Sequence, residues 1–415
     1  PLHLVLDNHA RRSFTRADIN TIITVAGAPA KVNENQVTRF VAFKQPFEEA
    51  VLSENLLAIE EAGAALRDES FRVLPVTAGE LLREGSDAGQ VSSRLKDTGK
   101  YKGDKWGGKY LRAPDIFFTI LKKGKDKLVR LGEIAEVRFG IKTGANDFFY
   151  LEPLGPGSQP GLLRVCNGAG WEGEIEEEFL KPVIKSPREC RSILIKPEEL
   201  KYLIFICNKN KTELKGTKAL EYIKWGERQE YHYRSTLRSR QSWWNLGQRD
   251  PGLYLWPMVH NDRLATFVNA HTVQVDHNLF EITPKNKNEH IASLFSVVAI
   301  LVRELYGRSN LGEGALKTEG IDINKFPSIA VKKKYLKHLY RLEIQDVFTE
   351  CGIDPQSKIP IAEQEPNPLP DRKALDDLVF DALDLTEEER KEVYRAVCRL
   401  VWERISKARS VRRNG

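Results

Sequence analysis

Two stretches near the start of the chain decide its fold class: they read INTIITV at residues 19–25 and VTRFVAF at residues 37–43. β-Branched and aromatic residues favour strands, and a continuous run such as the first is typical of a strand buried on both faces. Glycine, proline and asparagine punctuate residues 27–35 between them. We therefore expect the two strands to form a hairpin, with Leu4-Val5-Leu6 as a further strand.

The character of the chain changes after these strands. Residues 48–90 hold ten acidic and three basic side chains, residues 46–65 have a helical pattern, and residues 84–100 are polar. This composition predicts a connecting segment. The charge then reverses, because residues 101–150 hold eleven basic and six acidic side chains and residues 201–250 hold eleven and five. Strand-like runs recur at 203–207, 264–268, 271–275 and 279–282, which predicts a basic, strand-rich domain.

The last third of the chain is predicted to be largely helical. Apolar residues follow helical spacing from Ile291 to Leu305, and again from Val393 to Ile405. Four prolines between residues 359 and 370 predict a linker before the second of these regions. The whole pattern favours a mixed α+β chain with a helical C-terminal tail.

The overall composition excludes several classes of protein. The 415 residues carry a net charge of +6, which permits a polyanionic partner without demanding one. The five cysteines show no paired spacing, so a disulfide framework and a zinc ribbon are unsupported and a reducing cytoplasm is expected. The longest apolar stretch, residues 291–302, is too short to cross a bilayer, so we expect no membrane contact.

The candidate catalytic and metal-binding motifs in the sequence lack the context or spacing that their chemistry requires. GAGWEG at residues 168–173 satisfies Gly-x-Gly-x-x-Gly, but four glutamates follow it at once and would repel a pyrophosphate, so a Gly-rich turn is favoured. The eight histidines lack ligand spacing, and no metal site is expected. The Pro-Asp and Glu-x-Lys strings lie too far apart for a metal-dependent nuclease.

One basic segment, from Arg228 to Arg249, is a stronger signal. It interleaves five arginines with two tyrosines and two tryptophans, and Glu230 is its only acid. Arginine binds phosphates and guanine edges, and aromatic rings stack on unpaired bases. The alternative is a solvated basic face whose tryptophans belong to the core. The candidate nucleic-acid contacts here are Arg238, Arg240, Trp243 and Trp244.

Two further segments have glycine hinges and many hydrogen-bond donors. They read FGIKTGAND at residues 139–147 and GRSNLGEGALK at residues 307–317. Such loops on a strand scaffold suit groove contact, although either could be an ordinary loop. Their candidate DNA contacts are Lys142, Thr143, Asn146, Arg308, Asn310 and Lys317.

In this order, the segments resemble the C-terminal portion of Eco57I-like adenine-N6 DNA methyltransferases. The resemblance covers nearly the whole chain, and its LGEI segment is also similar to type I specificity subunits. The stretches that carry it are RSF at 12–14, ADINTIIT at 17–24, KWGGKYLRAP at 105–114, LGEI at 131–134, GIKTG at 140–144, residues 233–247, residues 307–317 and LDD at 375–377.

The resemblance implies an organisation in four parts. Residues 1–45 would be the last strands of a Rossmann-like methyltransferase domain, and residues 46–104 a connecting segment. Residues 105–330 would form a strand-rich DNA target-recognition domain, and residues 331–415 a helical C-terminal region. The implied fold class is mixed α+β, with a remnant of a methyltransferase α/β sheet.

The departures from the family pattern concern catalysis. The family's cofactor loop and its Asn-Pro-Pro-Tyr-type motif are absent, and NPLP at residues 367–370 fails at its third and fourth positions. Both motifs lie upstream of the late strands in the family. We therefore expect no catalytic residue and no cofactor site in this chain, and S-adenosylmethionine only in the complete enzyme. The chain alone is expected to be inactive.

For the complete enzyme, the resemblance implies that adenine is flipped from double-stranded DNA and methylated at N6 by S-adenosylmethionine. Phe14 is the position that fits the aromatic residue packing on the flipped base, and a plain core role for it is an equal alternative. Two other readings remain open. The chain could be a non-catalytic specificity or assembly subunit that partners a separate methyltransferase chain, or a whole enzyme with an unrecognised site.

Overall fold

The computed structural model describes residues 1–8, 22–31, 33–86, 103–308, 314–332 and 343–410, with side chains up to residue 406. The strands are β1 (Leu2–Asn8), β2 (Ile22–Ala26), β3 (Val37–Phe43), β4 (Leu66–Arg67), β5 (Phe71–Thr77), β6 (Val129–Arg130), β7 (Ala135–Phe139), β8 (Tyr150–Pro156), β9 (Leu162–Asn167), β10 (Glu172–Glu176), β11 (Leu180–Ile184), β12 (Tyr202–Phe205), β13 (Tyr254–Pro257), β14 (Val259–His260), β15 (Phe267–Val268), β16 (Gln274–Val275), β17 (Leu279–Pro284), β18 (Glu289–His290), β19 (Leu316–Lys317), β20 (Pro327–Ser328) and β21 (Val331–Lys332).

Helices are interspersed with these strands and dominate the end of the chain. The α-helices are α1 (Phe47–Ala50), α2 (Ser53–Glu61), α3 (Ala78–Gly85), α4 (Asp115–Lys123), α5 (Leu131–Ile134), α6 (Asn146–Phe149), α7 (Lys218–Arg228), α8 (Val297–Tyr306), α9 (Gly320–Asn324), α10 (Val347–Cys351), α11 (Pro370–Ala382) and α12 (Glu387–Ser410). A π-helix spans Gly107–Arg112, and 3-10 turns include Tyr231–Tyr233 and Ala292–Phe295. The mixed α+β class and the helical tail are confirmed.

The chain forms two compact units. The first, called here the N-terminal unit, combines residues 1–124, 300–317 and 387–415. The second, called here the central unit, combines residues 125–299 and 318–386. None of the described helices is long and apolar enough to cross a membrane.

The N-terminal unit is built on a five-stranded sheet in the order β2-β1-β3-β5-β4. Strand β3 forms where the sequence predicts it. The predicted hairpin is wrong, because β1 lies between β2 and β3 and pairs antiparallel with one and parallel with the other. The prediction that the first stretch is a buried strand is also wrong for its described residues. Strand β2 is at the sheet edge, where pairing on one side only leaves Ile22, Ile23 and Val25 exposed.

Packing covers both faces of this sheet at β3, whose successive side chains point to opposite sides. Val41 and Phe43 pack on one face with residues of α1 and α2, whereas Phe40 packs on the other with Tyr110 of the π-helix. Gly108 lies so close to the end of α8 that a Cβ there would come within 1.8 Å of the Leu305 carbonyl oxygen. The second glycine of the KWGGKYLRAP segment is therefore needed for packing, whereas a Cβ at Gly107 would meet nothing within 4 Å.

The apolar stripe predicted for the tail docks α12 into the N-terminal unit. Val393, Ala396, Val397 and Val401 are fully buried. Arg404 of α12 also donates to both carboxylate oxygens of Glu304, at 2.7 and 2.9 Å. Burial opposes the charge of Glu304, but Arg404 holds the pKa of its carboxyl below the ordinary value. The tail is thus fixed by a buried ion pair as well as by apolar packing.

The central unit contains a six-stranded sheet, β10-β9-β8-β12-β11-β16, and a four-stranded sheet, β15-β13-β17-β7. The strand-rich character predicted for this region is confirmed. The Gly168–Gly173 segment begins as the turn between antiparallel strands β9 and β10. The Asn167 side-chain oxygen accepts hydrogen bonds from the backbone N–H groups of Ala169 and Trp171, both at 3.0 Å. The Gly-rich turn interpretation is therefore confirmed, and its order of elements is not that of a dinucleotide site.

Candidate nucleic-acid interface

The segment of residues 140–147, called here the Lys142 loop, leaves the end of β7 in the central unit and is pinned to the chain after β16. The Ile141 N–H donates to the Val275 carbonyl at 2.6 Å, and the His277 N–H donates back to the Ile141 carbonyl at 3.1 Å. A Cβ at Gly140 would lie 2.1 Å from the Asp276 carbonyl oxygen. Only glycine permits this close approach of two backbones.

Within the Lys142 loop, Thr143 acts as an internal brace. Its side chain is buried, accepts a hydrogen bond from the Ala145 N–H at 3.2 Å and donates to the Asn146 side-chain oxygen. Gly144 has a φ of +78°, and a Cβ there would lie 2.7 Å from side-chain atoms of Thr236 and Leu237. The structure thus gives Thr143 a shaping role and turns Lys142 and Asn146 outward, where both are exposed.

Arg240 clamps the Lys142 loop from the basic segment. Its Nη2 donates to the carbonyl oxygens of Lys142 and Thr143, both at 2.9 Å, and its Nη1 donates to the Trp243 carbonyl at 3.3 Å. Burial lowers the pKa of Arg240, although a guanidinium stays charged in any case. A side chain predicted to contact DNA is therefore engaged with the backbone that carries Lys142.

Asp147 provides a second connection between the Lys142 loop and the basic segment. Arg234 donates to its two carboxylate oxygens at 2.7 and 2.9 Å, and the Tyr231 hydroxyl donates at 2.7 Å. The Arg234 guanidinium also lies over the Tyr231 ring, 4.2 Å from its centroid. Burial opposes the charge of Asp147, but the hydrogen bonds from Arg234 and Tyr231 lower the pKa of its carboxyl. The carboxylate is therefore held ionised and takes up part of the basic segment's charge.

An open cleft of about 450 Å³, called here the loop cleft, lies beside this assembly in the central unit. Its lining consists of residues 141–146, Arg234, Asp276, His277 and Asn278. Lys142, Asn146 and Asn278 are exposed at it, whereas Asp276 is buried and accepts from the Tyr150 hydroxyl and the Asn278 N–H. Lys142 forms no ion pair with any residue that the structure describes. The cleft therefore offers one unneutralised cation and two carboxamides on a rigid frame.

The two candidate tryptophans are core residues of the central unit. Trp243 and Trp244 are each 6% exposed. Trp243 packs against Phe148 and Tyr231, and its indole N–H donates to Glu227 at 3.2 Å. The Trp244 indole N–H donates to the Lys209 carbonyl at 3.3 Å. Composition alone could not distinguish this packing from base stacking, and here the alternative of a core role describes both side chains.

The remaining candidates are distributed between the two units. Arg238 is exposed in the central unit, four residues after Arg234. Arg308 and Lys317 belong to the N-terminal unit, where their backbones pair through hydrogen bonds of 2.7 and 2.9 Å. Asn310 and Phe14 lie outside the described residues. Among the described candidates, Lys142, Thr143, Asn146, Arg240 and the two tryptophans are brought together by contacts within the central unit, and Arg308 and Lys317 form a separate pair in the N-terminal unit.

Four polar residues at the loop cleft were not among the contacts predicted from the sequence: Arg234, Asp276, His277 and Asn278. Arg234 belongs to the basic segment, but nothing in the composition of that segment distinguishes it from the other four arginines. His277 and Asn278 lie more than 130 residues from Lys142 along the chain. His277 and Asn278 lie beside the Lys142 loop because β7 pairs with β17. The carbonyl of Leu279, the first residue of β17, accepts from the Gly140 N–H at 3.0 Å. That pairing is not visible in local sequence patterns.

One comparison with known proteins agrees with the resemblance seen in the sequence. Residues 178–350 match the family model described as "Type II methyltransferase M.Eco57I, C-terminal domain". The resemblance to the C-terminal portion of Eco57I-like enzymes is thereby confirmed. The matched range contains the whole basic segment and residues 276–278 of the loop cleft, and the Lys142 loop lies outside it.

A solved structure is similar over almost the full length of this chain. It is described as the crystal structure of the type IIG restriction endonuclease BpuSI, with 12% sequence identity and a TM-score of 0.47. The alignment covers 98% of this chain and 44% of that one, so this chain spans less than half of its length. No match was found among curated proteins.

Proposed function

We propose that this chain recognises double-stranded DNA as part of an adenine-N6 DNA methyltransferase of a restriction–modification system. The family match supports the methyltransferase assignment at the coarse level. The observation that carries the DNA-binding proposal is the loop cleft, where exposed Lys142 lies beside exposed Asn146 and Asn278 on a backbone clamped by Arg240. A rigid support of this kind is what a recognition surface needs.

The side chains at the cleft suit two different parts of DNA. Lys142 at the cleft and Arg238, an exposed residue of the same unit outside the cleft lining, carry positive charge and would contact phosphates, which position a protein on the duplex. The carboxamides of Asn146 and Asn278 combine donor and acceptor groups, and asparagine pairs well with the major-groove edge of adenine. The proposed division is therefore phosphate contact by the cations and base contact by the two asparagines.

Affinity measured against salt tests DNA binding directly. The chain should bind a duplex with an affinity that falls as salt rises, because phosphate contacts release counterions with a slope of about −0.9 per neutralised phosphate. Fluorescence anisotropy of a labelled duplex between about 50 and 200 mM salt would measure it. A flat slope, or no binding, would contradict the proposal.

S-adenosylmethionine is proposed to bind elsewhere in the complete enzyme. A nucleotide-type site uses a Gly-rich loop between a strand and a helix N-terminus. In the part of the chain that the structure describes, the Gly-x-Gly-x-x-Gly string instead forms a hairpin turn between β9 and β10, beside Glu174 and Glu176. These residues do not fit the cofactor, and we derive no methyl-transfer step from them. Calorimetric titration with S-adenosylmethionine should give no heat, and micromolar binding would overturn this assignment.

A non-catalytic specificity subunit is the second candidate function. The 415 residues hold no Asn-Pro-Pro-Tyr-type string, which is consistent with this candidate and with the first one alike. If the chain is such a subunit, a separate methyltransferase chain, encoded nearby, would co-purify with this one and methylate adenine only in its presence. Activity in a single longer polypeptide that includes this chain would favour the first candidate instead.

A further inference from the structure

One aromatic pair at the loop cleft is not explained by packing or by phosphate binding. Phe139 is the last residue of β7, and 41% of it is exposed. Its ring is stacked on His277, with the centroids 4.8 Å apart and the planes 3° from parallel. The two rings are called here the Phe139–His277 platform: His277 lines the loop cleft, and Phe139, which is outside that lining, is stacked on it.

The platform is held in place from behind. Phe139 lies directly opposite Phe280 in the β7–β17 pairing, and their ring centroids are 4.7 Å apart. Phe280 is buried, so it fixes one side of the exposed ring. His277 is fixed through its backbone N–H, which donates to the Ile141 carbonyl. A single exposed phenylalanine is common on protein surfaces, but an exposed ring that is stacked and braced beside a cleft carrying the exposed Lys142 is preorganised for a ligand.

We propose that the Phe139–His277 platform stacks on an unstacked nucleobase whose neighbouring phosphate is bound at Lys142. Flat π-faces stack on every base, and such stacking depends little on sequence. The groups around the platform fit a nucleotide: Lys142 supplies charge for the phosphate, and the Asn278 carboxamide can meet a base edge. This inference rests on the proposed function, and it adds local distortion of the duplex to it.

A mismatched duplex tests the platform without knowledge of the recognised sequence. Unstacking costs least at a mismatched base, so a platform that stacks on such a base should favour a duplex with one central mismatch over the matched duplex. Since base–aromatic stacking is worth roughly 1–3 kcal/mol, we expect a preference of about tenfold for the wild-type chain. In Phe139→Ala the ratio of mismatched-duplex affinity to matched-duplex affinity should fall close to one, while affinity for the matched duplex changes less than about threefold.

Three variants separate stacking from loss of structure. Phe139→Leu keeps an apolar side chain without a π-face and should also lose the preference, whereas Phe139→Trp should keep it. Tyr233→Ala is the matched control, because Tyr233 is an aromatic residue of the same unit that is 68% exposed and whose ring contacts His232, a residue that does not line the loop cleft. This variant should retain the preference. Thermal unfolding of every variant shows whether it is folded.

The outcomes distinguish this inference from the proposed function. Salt-dependent binding of the matched duplex with no mismatch preference, or with a preference that survives Phe139→Ala and Phe139→Leu, would overturn the platform and leave the DNA-binding function standing. Loss of the preference in Tyr233→Ala as well would also overturn it, because the effect would not belong to the platform. Absence of any salt-dependent duplex binding by the wild-type chain would overturn both.

Discussion

Arg234 and Asp147, 87 residues apart in the chain, are joined by two side-chain hydrogen bonds of 2.7 and 2.9 Å. Two parallel hydrogen bonds between a guanidinium and a carboxylate fix the relative orientation of the two groups as well as attracting them to each other. It ties the basic segment to the C-terminal end of the Lys142 loop, close to where Arg240 grips Lys142 and Thr143. Two arginines that composition would assign to a polyanion thus hold protein to protein.

The Asp147 contacts predict a pH dependence. The hydrogen bonds from Arg234 and Tyr231 lower the folded-state pKa of Asp147 below its ordinary value of 3.8. Its ionisation therefore stabilises the fold above that value, and the stabilisation is lost as pH falls through the lower folded-state pKa. Compared with Asp147→Asn, the wild-type chain should be more stable by about 1 kcal/mol or less, because the pair is partly exposed. Urea unfolding at a series of pH values measures the difference. A gap that does not shrink in acid would contradict this origin.

Arg240→Lys should weaken the chain although it keeps the charge. A lysine cannot reproduce the planar fork that reaches the carbonyls of Lys142, Thr143 and Trp243. We expect a loss of roughly 1–3 kcal/mol in the free energy of unfolding, together with weaker DNA binding at an unchanged salt slope. Urea unfolding and the salt titration measure the two effects. Arg238→Lys is the control, and its exposed side chain should leave stability within about 0.5 kcal/mol. Equal effects of the two substitutions would argue against the clamp.

Gly140→Ala should displace the Lys142 loop. The added methyl group would meet the Asp276 carbonyl oxygen at 2.1 Å, and relief requires movement of backbone rather than of a side chain. Overpacking of this kind costs about 1–3 kcal/mol or more. At Gly63 a Cβ would meet nothing within 4 Å, so Gly63→Ala should leave the unfolding midpoint nearly unchanged. Similar midpoints for the two variants would show that the loop is less tightly pinned than its hydrogen bonds indicate.

Lys142→Ala should reduce duplex affinity and lower the magnitude of the salt slope by about 0.9, the value for one lost phosphate contact. Stability should not change, because the Lys142 side chain is exposed and only its backbone carbonyl is used by Arg240. Lys358→Ala is the matched control, since Lys358 is an exposed lysine of the same unit that does not line the loop cleft. An identical slope change in both variants would point to general charge rather than to this site.

Trp243→Ala should destabilise the central unit strongly. The ring is 6% exposed and packs against Phe148 and Tyr231, and removal of such a side chain costs about 3–5 kcal/mol. Tyr233→Ala, at a ring that is 68% exposed, should cost less than about 0.5 kcal/mol. Thermal unfolding compares them. A folded, stable Trp243→Ala variant that has lost only DNA binding would restore the stacking interpretation.

Local patterns predicted the elements better than their arrangement. Strand β3, the helical tail and the turn after Asn167 follow from β-branched runs, a 3.6-residue stripe and glycine content, which are all short-range properties. The order β2-β1-β3 does not follow, because strand pairing is decided by burial of whole faces. The same limit explains β2, whose composition favours a buried strand but whose edge position exposes it.

The same limit applies to the candidate site: local composition indicates which types of residue could bind DNA, but not where the fold places each one. Lys142 and Asn146 were predicted because a glycine-flanked loop rich in hydrogen-bond donors is visible in composition; the structure places both at the loop cleft, and their contact with DNA stays a prediction. Trp243 and Arg240 were predicted from the interleaving of arginine and aromatic residues, yet one is buried and the other binds backbone carbonyls. His277 could not be found at all, since only the β7–β17 pairing brings it beside residue 141.

Most supports and contacts of the loop cleft are different residues, and this separation bears on how recognition could change. Gly140, Thr143, Gly144 and Arg240 set the backbone, whereas Lys142 and Asn278 present their side chains outward; Asn146 belongs to both groups, because it is exposed and its side-chain oxygen accepts from Thr143. New side chains at Lys142 and Asn278 would be carried by a backbone that is already held in place. A library randomised there, with the supports untouched, is therefore a small search space in which altered DNA preference could evolve without rebuilding the fold.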